Sequence, residues 1–297
     1  MPLDLFVSIA ERVSTVVTAI VPGAVACAAA FTALTLFSKW SCNPQRPWWR
    51  SRGLLTDICY WFVLPFFAPY VRIGLLITGA TLIVWATSAK DVATYLNEGQ
   101  GLLSGLSFWP QAIIYFIASD FLLYWVHRLF HGASLWRYHA IHHSSEDVDW
   151  TTAYRWHPIN IWAGPLLVGV IMLLLGIAPA VVIFFAPIDT VIAVFVHANL
   201  NWTLGPLKYV VATPVFHRWH HTLPGEGGQK NFAPTFAFWD VLFGTFYMPE
   251  GRMPERYGVD DPEFPRGFFG QLVYPFKTSP QPQAAAPAPA ASAADRV

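Results

Sequence analysis

The chain has 297 residues, of which 55% are hydrophobic and only 12% charged, against roughly 25% charged in an average soluble domain. That composition excludes an ordinary soluble enzyme and predicts an integral membrane protein. Its 18 basic and 18 acidic residues cancel, so no nucleic acid is expected as a partner.

From the N-terminus, MPLDLFVSIAERVST has no basic segment leading directly into an apolar core and cleavage site, so no removable signal peptide is expected. A first apolar stretch of spanning length covers 15–37. The loop 38–53 follows, with Lys39, Arg46, Arg50 and Arg52 and no acidic residue. The positive-inside rule places it in the cytoplasm. Residues 54–70 are apolar and aromatic but carry Asp57, Pro65 and Pro69, and read as interfacial or re-entrant. The next span is then 71–88; one long kinked helix is the alternative. Cys27, Cys42 and Cys59 have no metal-binding spacing and are expected to pack.

The span 107–127 runs into HRLFH, where Asp120, Tyr124, His127 and His131 recur at spacings of four, three and four and share one helical stripe. An aspartate inside a span is costly unless paired. Asp120 therefore either orients a metal-bound imidazole or pairs with a neighbouring helix. The spans 159–176 and 179–199 form an out-and-back pair bent at Gly176 and Pro179, and His197 ends the second. Five crossings result, with the N-terminus outside. The segment 278–297 has the Ala/Pro composition of an extended tail.

Eight of the ten histidines fall into three clusters: His127 and His131; His139, His142 and His143; His217, His220 and His221. On a helix, residues three or four apart share a face. Each cluster can thus aim a pair of imidazoles at one locus, and the second and third add one imidazole about 100° further round. An ion takes about four to six ligands, so eight histidines imply two ions. His197 is expected as a ninth ligand, whereas His157, in RWHP, is either a ligand or a structural residue.

Neutral ligands leave the charge of two divalent ions uncompensated, so nearby carboxylates are expected to accept N–H bonds from the imidazoles. Asp240, in the aromatic stretch FWDVLFG, is the leading acceptor; Glu146, Asp147 and Asp149 read more simply as a solvated loop. Imidazole suits iron, zinc and copper. A site reached by lipid from the bilayer and by electrons from the cytosol favours iron, because zinc has no redox chemistry.

In sequence and order, HRLFH, HAIHH and HRWHH resemble the histidine boxes of the fatty acid hydroxylase and sterol desaturase superfamily, as do DFLLYWVHRLFH, HHSSEDVDWTTAYRWHP, HANLNW and NFAPTFAFWDVLFGTF around them. The resemblance covers roughly 107–250. It implies an all-α polytopic membrane protein of about four to five spans, with a cytoplasmic helical cap carrying the di-metal site. The expected divisions are an N-terminal transmembrane region (1–106), a catalytic domain (107–277) and a disordered tail (278–297).

The implied ligands are His127, His131, His139, His142, His143, His197, His217, His220 and His221, holding two Fe ions; by their positions in the sequence, Asp120, Tyr124 and Asp240 are the catalytic candidates named in support of them. Some relatives in this superfamily have a further histidine four residues after the one matched by His197; Asn201 stands there in this chain. The implied reaction uses O2 to attack an unactivated C–H bond of a lipid: fatty acyl, sterol-like, carotenoid or ether lipid. Electrons come from a separate donor, such as ferredoxin or a cytochrome with its reductase. Hydroxylation is the first expectation and desaturation its near alternative. A histidine-lined metal transporter is a third possibility and a metal-stabilised structural protein a fourth. The expected location is the bacterial inner membrane, with the metal site on the cytoplasmic side.

Overall fold

The computed structural model describes residues 2–63, 89–132 and 134–277. Among them every regular element is helical, apart from one isolated antiparallel bridge between Thr222 and Tyr257. The all-α expectation therefore holds for the described residues. The predicted span 71–88, the end of 54–70 and the tail 278–297 lie outside them.

In chain order the helices are α1 (Pro2–Leu36), α2 (Leu54–Val63), α3 (Ala89–Glu98), α4 (Phe108–Phe130) and α5 (Trp136–His143). They continue as α6 (Pro158–Leu174), α7 (Pro179–His197), α8 (Pro214–His220), α9 (Phe238–Leu242) and α10 (Phe268–Val273). Helix α1 covers the predicted span 15–37 as far as Leu36 and starts well before it. Helices α4, α6 and α7 coincide with the predicted spans 107–127, 159–176 and 179–199. Helix α3, which the hydrophobic pattern does not announce, packs against α7.

Two of these helices, α4 and α7, are long and apolar enough to cross a membrane. Helix α6 widens into a π-turn at Trp162–Leu166, where Pro165 cannot donate to the ladder and the chain must loosen. The three pack together through Tyr115, Val168, Met172, Val181 and Phe185, and Phe116 stacks on Phe185 at 4.9 Å. The outer side of α4 presents Trp109, Ile113, Ile117, Trp125 and Leu129, spaced by multiples of four and between 41% and 66% exposed. An apolar stripe of that length is stable against lipid and costly against water.

At the turn between α6 and α7, Gly176 has φ +96°. A Cβ there would lie 2.8 Å from the carbonyl carbon of Gly101, so only glycine lets the two backbones meet. Pro179 then opens α7 with its pre-set φ. Close to the histidines, the basic loop 38–53 folds onto the segment after α5. Arg52 donates to Asp147 from both its backbone N (3.1 Å) and Nε (3.2 Å), and Arg46 donates to the Glu146 carbonyl at 3.0 Å. Asn199 joins α7 to the same loop, accepting from the Asn43 amide at 2.8 Å. The basic loop and the histidine clusters therefore share one side of the molecule, as the sequence predicts.

Candidate metal centre

All nine predicted ligand histidines converge, and they sort into two groups. One holds His127, His131, His139, His143 and His220; the other holds His142, His197, His217 and His221, and within each the ligand nitrogens lie within 4.8 Å of one another. Helical geometry divides each cluster. His139 and His143, four apart, share a face of α5, while His142 turns away to the second group. Helix α8 does the converse: His217 and His221 serve the second group and His220 the first. Two short helices thus each serve both groups.

Local sequence sets these helices. Thr213 caps α8, its Oγ1 accepting from the Phe216 amide at 3.1 Å, with Pro214 at the first helical position. Helix α4 ends at His131, which places His127 and His131 in its last turn. His197 occupies the last position of α7.

The protonation pattern is the decisive feature. Five imidazoles have Nδ1 against an oxygen that can only accept: His127 against the Phe232 carbonyl (2.7 Å), His139 against Asn160 Oδ1 (2.8 Å), His142 against the Arg155 carbonyl (3.2 Å), His197 against the Ala193 carbonyl (2.6 Å) and His220 against the Lys230 carbonyl (2.7 Å). Nδ1 therefore carries the proton in each, which leaves a bare lone pair on Nε2 of the neutral ring. Yet Nε2 of His127 faces Nε2 of His139 at 3.0 Å, and Nε2 of His142 faces Nε2 of His197 at 3.2 Å. Two lone pairs at that distance repel unless a cation lies between them. Nε2 of His220 is buried without a partner, which fits the same reading.

Burial first, and crowding by other imidazoles second, hold His131, His142, His143, His217 and His221 well below the usual 6.5; His139 and His220 are lowered in the same way. They are neutral at pH 7, the form that binds metal. The donor set therefore fits metal ions and gives the chain two clusters able to bind them.

The carboxylates behave differently from expectation: the oxygens that receive the imidazole protons are carbonyl or amide oxygens. Asp120 takes its bonds from the amides of Thr235 (2.9 Å) and Phe236 (3.0 Å) and from Trp239 Nε1 (3.1 Å). Asp240 accepts from the amides of Phe232 and Ala233, both at 2.8 Å, and from Thr245 Oγ1 at 2.6 Å. Burial pushes the Asp240 carboxyl up, against these bonds. It acts through the backbone, because the Phe232 residue it grips is the one whose carbonyl holds His127. Tyr124, fully buried, bonds Thr245 Oγ1 at 2.9 Å and receives Arg128 at 3.2 Å. The three residues named in support of the site thus hold the 232–245 segment rather than touch an imidazole.

Asp147 and Glu146 bind Arg52, while Asp149 caps the turn Trp150–Tyr154 through the Trp150 amide at 2.7 Å. Burial raises the Asp149 carboxyl to about 6. His157 is not in either group. Its Nδ1 accepts from the Ile159 amide at 3.1 Å and its Nε2 donates to the Leu272 carbonyl at 3.2 Å, so both nitrogens are engaged. Asn201 donates to the Lys39 carbonyl at 2.6 Å.

Several supporting residues have no metal-ligand chemistry of their own. Trp156 stacks on His142 at 3.8 Å and 17°. Arg155, whose carbonyl holds His142, forms a buried ion pair with Asp57 of α2. Arg218, fully buried inside HRWHH, donates to Tyr257 Oη at 2.8 Å and to the carbonyl of Val148. Asn160 is the side chain most directly coupled to a histidine. A polar residue opening an apolar helix is the one hint of it in the sequence. Replacing Asn160 by Ala strips the acceptor from His139, and metal competition assays should show affinity falling about 10- to 100-fold with the helical content unchanged.

Residues 112–245 match the fatty acid hydroxylase family. The chain is 31% identical over 211 residues to ornithine lipid hydroxylase OlsE of Rhizobium tropici, covering 68% of this chain and 63% of that protein. It is 32% identical over 148 residues to human alkylglycerol monooxygenase, 50% of this chain and 32% of that one. Similarity to methylsterol monooxygenase 1-2 of Arabidopsis thaliana is 28% over 181 residues, 59% of this chain and 58% of the relative. The chain thus spans less than two thirds of the length of each of these relatives. No solved structure matches it significantly. Both histidine groups fall inside residues 112–245, so the segment that carries them is the one that matches the fatty acid hydroxylase family.

Proposed function

We propose that the protein is a membrane-bound di-iron lipid hydroxylase. The observation that carries this is the facing of unprotonated Nε2 lone pairs inside two buried imidazole groups, and the family and its relatives support the reaction class. His127, His131, His139, His143 and His220 would hold one ion, and His142, His197, His217 and His221 the other. Bound there and reduced by a separate ferredoxin or cytochrome chain, two irons supply activation of O2 and removal of hydrogen from an unactivated C–H bond.

The chain's own residues fix and shield that chemistry. Carbonyl acceptors lock five rings in one tautomer, so each Nε2 is aimed without rearrangement. Phe232 and Trp136 pack against His131, and Trp156 covers His142, which keeps bulk water from the imidazoles. Helices α4 and α7 deliver His127 and His197 from apolar helices to the cap, a placement that suits a substrate arriving from the bilayer. Ligands at helix ends, rather than at the middle of broken helices, favour catalysis over transport.

In this reading, residues 107–277 form the catalytic domain and 1–106 the N-terminal membrane region. Five spans bring the histidine cap to the cytoplasmic side of a bacterial inner membrane. Metal content and oxygen uptake test it together. Protein purified under iron-replete conditions should hold about two irons per chain, one for each histidine group. After chemical reduction it should consume O2 only when host lipid extract is present, and mass spectrometry should find lipid that has gained one oxygen. Tightly held zinc with no uptake after iron reconstitution would refute the proposal.

A further inference from the structure

Helix α10 and the turn that follows it, Tyr274–Phe276, lie beyond the family segment and contribute nothing to either histidine group. Their outward side is apolar. Phe269, Val273 and Phe276, spaced by four and three, are 81%, 54% and 63% exposed. In a soluble protein such a row would be expected to face inward. Here it cannot, because the opposite side is tied down.

Phe268 is buried against Tyr60 of α2, with ring centroids 4.8 Å apart. Gln271, 1% exposed, donates to Ser144 Oγ at 3.1 Å and to the Pro265 carbonyl at 3.0 Å. His157 donates to the Leu272 carbonyl, and Arg137 to the Pro275 carbonyl at 3.1 Å. These contacts come from the foot of α2, the end of α5 and the start of α6. The segment is thus held against α2, α5 and the start of α6, with Phe269 and Val273 exposed on its outer face and Phe276, still largely exposed, tilted against His157 with ring centroids 5.6 Å apart. Basic side chains bracket the stripe: Arg266, its side chain 90% exposed and its guanidinium 3.9 Å from a Glu146 carboxylate oxygen, precedes it, and exposed Lys277 ends it.

We infer that residues 266–277 form an interfacial anchor, with Phe269, Val273 and Phe276 inserted at the level of the lipid headgroups and Arg266 and Lys277 reaching phosphates. An apolar row flanked by cations is the pattern that lays a short helix in the plane of a bilayer. Through Gln271 and Ser144 the anchor is also fixed to the residue that follows His143. The inference rests on the reading that the chain is embedded in a membrane, and the experiment separates the two.

The photoreactive analogue p-benzoyl-phenylalanine replaces Phe269 in one variant and Val191, 67% exposed on α7, in another. Both full-length proteins are reconstituted into nanodiscs of phosphatidylcholine and phosphatidylglycerol and irradiated. The expected result is a mass increase of one phospholipid in both. An adduct at 191 with none at 269 would overturn the anchor while leaving the membrane reading intact. Loss of the adduct at both positions would overturn both. Each substitution sits on an exposed face and leaves the buried ties of α10 untouched.

Discussion

Alanine at His142 or His220 is expected to abolish lipid-dependent oxygen uptake, and the two variants should differ in the metal they keep. His142 belongs to the four-membered group, which would be left with three imidazoles; His220 belongs to the five-membered group, which would keep four. Three neutral imidazoles hold a divalent ion far less tightly than four, because each lost donor removes a bond that folding has already positioned. Iron should therefore fall from about two ions per chain to about one in His142→Ala and decline less in His220→Ala, while circular dichroism keeps its helical signal. Equal metal content and retained turnover in both variants would remove the histidine groups from the chemistry.

A comparable effect is expected at a position well outside the family segment. Asp57 on α2 is fully buried, pairs with Arg155 and accepts from Thr151 Oγ1 at 3.1 Å. Arg155 also donates to the Gly53 carbonyl at 3.1 Å and to Ser144 Oγ at 3.2 Å, and its own carbonyl receives His142. Asp57→Ala leaves a guanidinium buried without its counter-charge, which typically costs about 3–5 kcal/mol. Asp57→Asn keeps an acceptor and should cost less. Asp57 is a positioning residue for His142, so the asparagine variant should weaken metal at the four-histidine group and spare the other. Loss of one ion with the second retained supports that role. Parallel loss of both ions in step with unfolding would reduce Asp57 to general support.

The histidines were legible because their chemistry has a spacing, and the helix rule announces that one imidazole of the second cluster turns away from the other two; the structure makes it His142. What the sequence could not express is the set of proton acceptors. Backbone carbonyls of Phe232, Arg155, Ala193 and Lys230 have no residue signature, so the expectation fell on the visible acids. Asp120 and Asp240 turned out to grip amides of the 232–236 segment, one step removed from the imidazoles. Helix α3 escaped notice because its mixed polarity carries no apolar run, and the Asp57–Arg155 pair because its members lie far apart in the chain.

The way the histidines divide also dictates an order of assembly. Four of the five members of the first group, His127, His131, His139 and His143, come from the single hairpin of α4 and α5, so a nascent chain can bring them together as soon as that hairpin has formed. The second group draws on α5, α7 and α8 and cannot close until His217 and His221 have been made. At about 5–20 residues per second, synthesis from the first box to the last takes roughly 5 to 20 seconds. For much of that interval one site is nearly complete and the other is His142 alone, joined later by His197. A cell that supplies metal early would fill the first site on a half-built protein, and the second would act as a checkpoint that registers completion of the chain through His221.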